Sequence, residues 1–243
     1  KPHLDLADFG LNDADMDTEF YAGDFIGLGK AKLKDIYAKL RKIYAGNIGI
    51  QYTYMNRMEA HMWVQNRFEE LMQQKFTLPE QKRILEKLNY GVIFEKFLNT
   101  KFIGQKRFGL EGGESMIPAL DAMINTAADG GVQEVVIGMA HRGRLNVLTN
   151  IMRKTYDQIF SEFEGNMPAD MTMGSGDVKY HLGFRSNIQT PSGKGVNVQL
   201  LPNPSHLEVV DPIVAGFSRA KADALYSSDY DKILPILIHG DAA

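Results

Sequence analysis

Three short polar segments carry side chains that could bind an anion or a metal ion, and each follows a short strand-like run. The segments are His141-Arg142, Ser205-His206 and His239-Gly240-Asp241. In open parallel sheets, ligands bind outside the carboxyl ends of the strands. If the three apolar runs are neighbouring parallel strands, the polar segments are expected to meet at one crevice.

Two arginines flank a glycine in the first segment. Arg142 and Arg144 lie on either side of Gly143, where a missing side chain lets the backbone approach a ligand while a planar guanidinium binds carboxylate or phosphate. Arg144 has a plainer interpretation, which is an ion pair with an acid on a neighbouring helix. The segment favours an anionic ligand.

The remaining segments extend this chemistry. Ser205 and Glu208 are spaced as a capping box, which predicts a helix N-terminus whose free N–H groups favour phosphate. Asp241 offers a carboxylate at a strand end, either to hold Mg²⁺ against a diphosphate or as an ordinary turn residue. The glycine-containing residues 174–177 lead to His181, which they would allow to close over a ligand. A lone loop histidine is nevertheless more often structural or solvent-exposed than catalytic.

The spacing of apolar residues predicts the elements that position these segments. After an extended acidic stretch over residues 1–30, the helices of the first hundred residues are expected at 31–45, 57–74 and 77–99. Strands and helices then alternate. The expected strands are 134–139, 197–201 and 233–238, and the expected helices are 114–128, 144–154 and from 207 or 212 to 226.

This alternation predicts an α/β fold, a parallel sheet with helices on both faces, over residues 106–243. A helical region over residues 1–105 precedes it. Pro235 weakens the last strand or places it at a bulge. Gly193-Lys194-Gly195 is typical of a hairpin tip.

Composition excludes several classes of function. The 243-residue chain has a formal charge of −3 and no cysteine. It therefore has no global basic field for nucleic acid, and it has no disulfide, thiolate metal site or cysteine nucleophile. No apolar run approaches the roughly 20 residues of a membrane-spanning helix, so membrane insertion is not expected. The last apolar run has nothing to pack after it, and we expect the chain to be part of a longer protein.

Five segments, in order along nearly the whole chain, resemble a known family. They are Lys106–Glu114, Gly138–Leu148, Gly176–Gly183, Asn203–Glu208 and His239–Ala243. Together they resemble the thiamine-diphosphate-dependent first component of 2-oxoglutarate dehydrogenase complexes. The resemblance implies the thiamine-diphosphate-binding fold, interrupted at residue 243 within its cofactor motif.

The resemblance also implies roles for individual residues. The cofactor would contact Arg142, His181, Ser205, Leu207, Asp241, Ala242 and Ala243, with Asp241 also binding Mg²⁺. The 2-oxo acid would contact Phe108, His141, Arg142 and His181, and the two histidines would be catalytic. In the family, the remaining metal ligands and an activating glutamate lie further downstream, so this chain alone is expected to be inactive.

The implied activity is oxidative decarboxylation of 2-oxoglutarate with thiamine diphosphate and Mg²⁺. The succinyl group would pass to a lipoyl carrier on the succinyltransferase component, within the tricarboxylic acid cycle. The resemblance further implies a homodimer, located in the bacterial cytoplasm or, in a eukaryote, in the mitochondrial matrix.

Three alternatives stay open. The first is a 2-oxoadipate dehydrogenase of the same family. The second is a metal-dependent hydrolase with His181, His206, His239 and Asp241 as ligands. The third is a non-catalytic interaction module in which the helical first hundred residues dock a partner.

Overall fold

A computed structural model describes residues 5–23, 25–164 and 178–240. The chain divides into two compact units, Lys1–Thr77 and Leu78–Ala243. Among the helices of the described residues, none combines the length and the apolar character that crossing a membrane requires.

The first unit consists of a small hairpin and two helices. Strands β1 (Glu19–Tyr21) and β2 (Lys30–Lys32) pair antiparallel, and helices α1 (Leu33–Tyr44) and α2 (Met58–Leu71) follow. Both helices are confirmed. The extended stretch expected over residues 1–30 is instead broken by short 3₁₀ turns and the hairpin. Polar residues account for the difference, since Asn12, for example, caps one of these turns through its side chain.

The second unit contains the remaining α-helices and strands of the described residues. In chain order these are α3 (Leu78–Lys101), α4 (Met116–Asp129), β3 (Glu134–Met139), α5 (Arg144–Asn150), α6 (Tyr156–Phe163), β4 (Phe184–Gln189), β5 (Gly195–Leu200), α7 (Val210–Leu225) and β6 (Ile233–Ile238). From the residue pattern, α3 was predicted to be part of the helical region over residues 1–105. In the structure α3 belongs to the second unit, where it packs against α4 and α5.

The sheet of the second unit is mixed. Its strand order is β4-β5-β3-β6, and β3 is parallel to both β5 and β6. The expectation of a wholly parallel sheet is wrong at β4, which runs antiparallel to β5. The turn before β5 explains this, because the Gly193 N–H bonds the Thr190 carbonyl at 2.9 Å and so short a connection can join only antiparallel strands. The predicted hairpin tip is thereby confirmed.

Helices cover both faces of the sheet, as predicted. On β3, the side chains of Val135 and Ile137 join the core built with α4 and α5. Val136 points to the other face and packs with Val210 and Val214 of α7. β3 is therefore buried on both sides, and its carboxyl end opens at one edge of the domain.

Candidate active site

The carboxyl ends of the two central strands hold the first parts of the site. β3 and β5 are parallel neighbours, and the Leu201 N–H just beyond β5 donates to the Ile137 carbonyl at 2.9 Å. The segment that carries His141 therefore leaves the sheet beside the segment that carries Ser205. This convergence follows from strand order and direction alone.

Aromatic and imidazole rings meet at this edge. The ring centroids of Phe108 and His141 are 4.0 Å apart, and those of His141 and His181 are 6.4 Å apart. Tyr180 packs edge-on against Phe108 at 5.1 Å. The structure thus brings together Phe108, His141 and His181, three residues that the sequence analysis had singled out.

Main-chain hydrogen bonds connect the segments that carry these rings. The Gly143 N–H donates to the Phe108 carbonyl at 3.0 Å, and the Phe108 N–H donates to the Tyr180 hydroxyl at 3.1 Å. The Asn203 N–H donates to the His181 carbonyl at 3.1 Å. The rings are therefore fixed relative to one another through the backbone as well as through contact.

Ser205 joins the site from the β5 side. Its hydroxyl lies 3.5 Å from Nε2 of His181, and the donor depends on the histidine tautomer. Leu207, the other predicted cofactor contact of this segment, is exposed. A hydroxyl, two imidazoles and an apolar wall thus share one edge of the sheet.

The capping box predicted at Ser205 and Glu208 is wrong. Helix α7 begins only at Val210, no side chain caps it, and Glu208 lies in the left-handed backbone region at φ +65°. The Ser205 hydroxyl contacts His181 and does not cap helix α7, although its spacing from Glu208 had predicted a cap.

Arg142 projects into solvent beside the site. Among the described residues, none forms a hydrogen bond or ion pair with its guanidinium. Partial burial favours a raised pKa for Glu111, but the hydrogen bond from Arg107, together with the charge of Arg142, holds the pKa of that carboxyl below its ordinary value. Arg142 therefore contributes positive potential here, and none of the described residues occupies its donors.

Arg144 is fully buried and binds main-chain carbonyls. Its guanidinium donates to the carbonyls of Met139 at 3.0 Å, Leu182 at 2.8 Å and Leu201 at 2.6 Å. The ion pair with a helical acid that the sequence suggested is therefore wrong. Burial lowers the pKa of Arg144 to about 9. Main-chain carbonyls leave no signal in the sequence, and those of Leu182 and Leu201 lie 38 and 57 residues away from Arg144. The arrangement was therefore missed.

A second polar network lies under the segment that carries Phe108. Glu95 of α3 accepts from Arg107 at 2.5 Å and from Asn146 of α5 at 3.2 Å. Burial raises the pKa of Glu95. The network links residues 105–111 to two helices and so supports the wall of the site. No motif or spacing predicted this network, although a glutamate on the otherwise apolar side of α3 was a visible signal.

The third polar segment is described only in part. His239 follows β6 and its Nε2 lies 3.2 Å from a carboxylate oxygen of Asp211. Asp241, Ala242 and Ala243 lie outside the described residues, as do residues 174–177. Within the described ranges, no group of three histidines or carboxylates could hold a metal ion. The hydrolase alternative gains no support from this geometry, and the assignment of Mg²⁺ to Asp241 stays a prediction.

Comparisons with known proteins are consistent with the α/β fold. Residues 86–243 match the dehydrogenase E1 component family. The whole chain is 49% identical to the multifunctional 2-oxoglutarate metabolism enzyme of Mycolicibacterium vanbaalenii, and 99% of it is 47% identical to the 2-oxoglutarate dehydrogenase E1/E2 component of Corynebacterium glutamicum. It spans 20% of the length of each of these two relatives. The family match covers more than half of the chain, and the chain therefore belongs to the dehydrogenase E1 component family.

Proposed function

We propose that this chain provides the substrate-binding edge of a thiamine-diphosphate-dependent enzyme that decarboxylates 2-oxoglutarate. The observation that carries the proposal is the grouping of Phe108, His141, His181 and Ser205 at the carboxyl ends of β3 and β5. Two relatives named for 2-oxoglutarate share nearly half of the residues of this chain, and the family generally depends on thiamine diphosphate.

The described residues suit an anionic substrate. The exposed guanidinium of Arg142 can bind a carboxylate through two parallel hydrogen bonds, and the imidazoles of His141 and His181 can donate to carboxylate or keto oxygens. An imidazole can in general accept or donate a proton, which is the chemistry that the resemblance implies for the two histidines. Phe108 gives the crevice an apolar wall that keeps water away from the reacting carbon.

The donor set also fits the cofactor. When bound, thiamine diphosphate supplies the nucleophilic carbon and the electron sink for decarboxylation. Ser205 and Leu207 would line its pocket, with Arg142 and His181 as further contacts. Asp241 would hold Mg²⁺ with Ala242 and Ala243 beside the diphosphate, because a carboxylate is the oxygen ligand that this hard cation prefers.

The wider assignment follows from the relatives' names and from the family. We propose that the succinyl group passes to a lipoyl carrier on a succinyltransferase component, that the complete protein is a homodimer, and that it works in the bacterial cytoplasm as part of the tricarboxylic acid cycle. The runner-up is a 2-oxoadipate dehydrogenase, since one additional methylene in the substrate leaves the anionic groups unchanged.

The test uses the full-length protein. Release of CO₂ from carboxyl-labelled 2-oxoglutarate is measured with an artificial electron acceptor, with and without thiamine diphosphate and Mg²⁺. Turnover that requires both, with a kcat/KM higher for 2-oxoglutarate than for 2-oxoadipate, is expected. A preference for 2-oxoadipate would support the runner-up. No turnover with either acid, together with no binding of the cofactor, would leave the interaction module as the better interpretation.

Asp241→Ala tests the metal assignment separately. Titration calorimetry with thiamine diphosphate at fixed Mg²⁺ should show binding to the wild type and a large loss of affinity in the variant. Asp229→Ala is the control, because Asp229 caps a surface 3₁₀ turn through its side chain and should leave the affinity unchanged. Equal affinity of wild type and Asp241→Ala would refute the assignment.

A further inference from the structure

Arg144 connects three separate segments of the chain at one point. Its donors reach the end of β3 at Met139, the segment after Tyr180 at Leu182, and the residue beyond β5 at Leu201. Its own N–H bonds the His141 carbonyl at 3.2 Å. These segments carry His141, His181 and Ser205.

This arginine is an unusual core residue. It is 0% exposed, and none of the described residues supplies a carboxylate to pair with it. Burying an unpaired charge is costly, and carbonyl dipoles offset only part of that cost. Its Nε is also buried without a partner within the described residues. An apolar side chain would fill the same space without either cost, so stability alone does not account for an arginine here.

The geometry points to Arg144 as a positioning residue, whose bonds to three strand-end segments set the spacing of His141, His181 and Ser205. The inference rests on the proposed function for its effect on catalysis, whereas the connection itself can be measured without turnover. Arg144 touches no ligand in this role. It acts through the segments it holds.

The choice of arginine follows from the number and direction of its donors. A guanidinium presents five N–H groups in one rigid plane, so it can reach carbonyls that come from different directions. A lysine ammonium at the same place keeps the charge, but it is a compact group on a flexible stem. Arg144→Lys should therefore retain fewer of the three carbonyl bonds, and Arg144→Met should retain none.

Hydrogen exchange followed by mass spectrometry tests the connection in the full-length protein. The variants are Arg144→Lys and Arg144→Met, and peptides covering residues 139–144, 181–183 and 201–205 are compared. Arg144→Met should speed exchange in all three by about tenfold, and Arg144→Lys by less, because the opening of a segment costs less once its bonds are lost.

Arg83→Met is the matched control. Arg83 lies in the same unit and makes two hydrogen bonds to Asp121, at 2.6 and 2.9 Å, that link α3 to α4. Its loss should lower the melting temperature and leave the three segments at their wild-type exchange rates. Wild-type rates in Arg144→Met, or acceleration confined to residues 139–144, would overturn the inference.

If Arg144→Met does not fold, hydrogen exchange of the wild type is measured at increasing urea concentrations. The three segments should then open with one common free energy, since one residue holds them together. Three different opening free energies would overturn the proposal. Steady-state kinetics test the role of Arg144 in catalysis. Arg144→Lys should lower kcat by about tenfold and raise KM for 2-oxoglutarate less than threefold.

The two proposals fail in different ways. A wild-type protein that releases no CO₂ from 2-oxoglutarate refutes the proposed function, and the exchange data still decide on Arg144. Normal kcat in Arg144→Lys with accelerated exchange in all three segments would show a purely structural link and would overturn the positioning role.

Discussion

The ring of Phe108 and the imidazole of His141 lie 4.0 Å apart, centroid to centroid, and are inclined by 48°. Phe108 therefore covers one side of His141. The Lys106 ammonium lies 4.9 Å from the centroid of the same Phe108 ring. The Lys106 ammonium and the His141 imidazole thus both lie against the ring of Phe108. A substitution at Phe108 therefore tests the apolar wall of the site.

Phe108→Leu should weaken substrate handling more than stability. An aromatic contact of this kind is worth about 0.5–1.5 kcal/mol beyond the buried area. We expect kcat/KM for 2-oxoglutarate to fall about three- to tenfold in the full-length enzyme. Phe102→Leu is the control, because Phe102 stacks on Phe163 at 4.6 Å and should affect the melting temperature alone. Equal kinetic losses in the two variants would contradict the assignment of Phe108.

Arg142→Ala should damage kcat/KM while leaving the fold intact. Loss of a charge-assisted bond to a partly buried carboxylate costs about 2–5 kcal/mol, which is about thirty-fold or more in kcat/KM. Because no described residue bonds the Arg142 guanidinium, the melting temperature should not change. Arg219→Ala removes an exposed arginine of α7 that pairs with Asp223, and it should leave the kinetics unchanged. A kcat/KM within about threefold of wild type in Arg142→Ala would show that Arg142 does not bind substrate.

Gly143→Ala and Gly193→Ala form a matched pair. Both glycines have positive φ, +74° and +83°, so alanine is strained at either position by about 1 kcal/mol. A Cβ at residue 193 would meet nothing within 4 Å, whereas one at residue 143 would lie 2.6 Å from Cδ1 of Leu110. Urea denaturation should therefore show a clearly larger loss of stability for Gly143→Ala, and activity should fall only in that variant. Equal losses of stability would mean that Leu110 moves aside freely.

The effect of Arg144 on stability should depend on pH above about 9. Burial lowers the pKa of the folded guanidinium to about 9, below its ordinary value of 12.5. Between these values the unfolded chain binds the proton more tightly than the folded one, so stability rises with pH. Below pH 9 the contribution is constant. The free energy of unfolding of wild type minus that of Arg144→Met, measured in urea from pH 7 to 10.5, should be flat and then increase. A decrease above pH 9 would contradict this sign.

Local patterns predicted the strands that are buried on both faces. The run Glu134–Met139 is rich in β-branched residues and fully buried, as expected for a strand that is covered on both faces. β4 was missed because it is an edge strand whose residues are mostly polar or half-exposed, with Ile188 alone buried. An edge strand can form with few apolar residues. Pairing with β5 and the turn at Gly193, and not its own apolar pattern, therefore determine where β4 forms.

Side-chain hydrogen bonding explains the other differences. Thr155 and Gln158 form a real capping box at α6, a signal in the sequence that would have located this missed helix. Ser205 and Glu208 have the same spacing, yet the Ser205 hydroxyl lies against His181. Spacing alone cannot distinguish these two cases, because the partner of Ser205 is 24 residues away along the chain.

The partners of Arg144 have a consequence for how related sequences vary. Within the part of the chain that the structure describes, the guanidinium binds only the carbonyl oxygens of Met139, Leu182 and Leu201, and every amino acid has a main-chain carbonyl. The side chains at those three positions are therefore free to diverge without loss of the bonds, provided that the backbone keeps its path. Arg144 should be retained among relatives without any covarying partner, and pairwise covariation would leave its three contacts undetected.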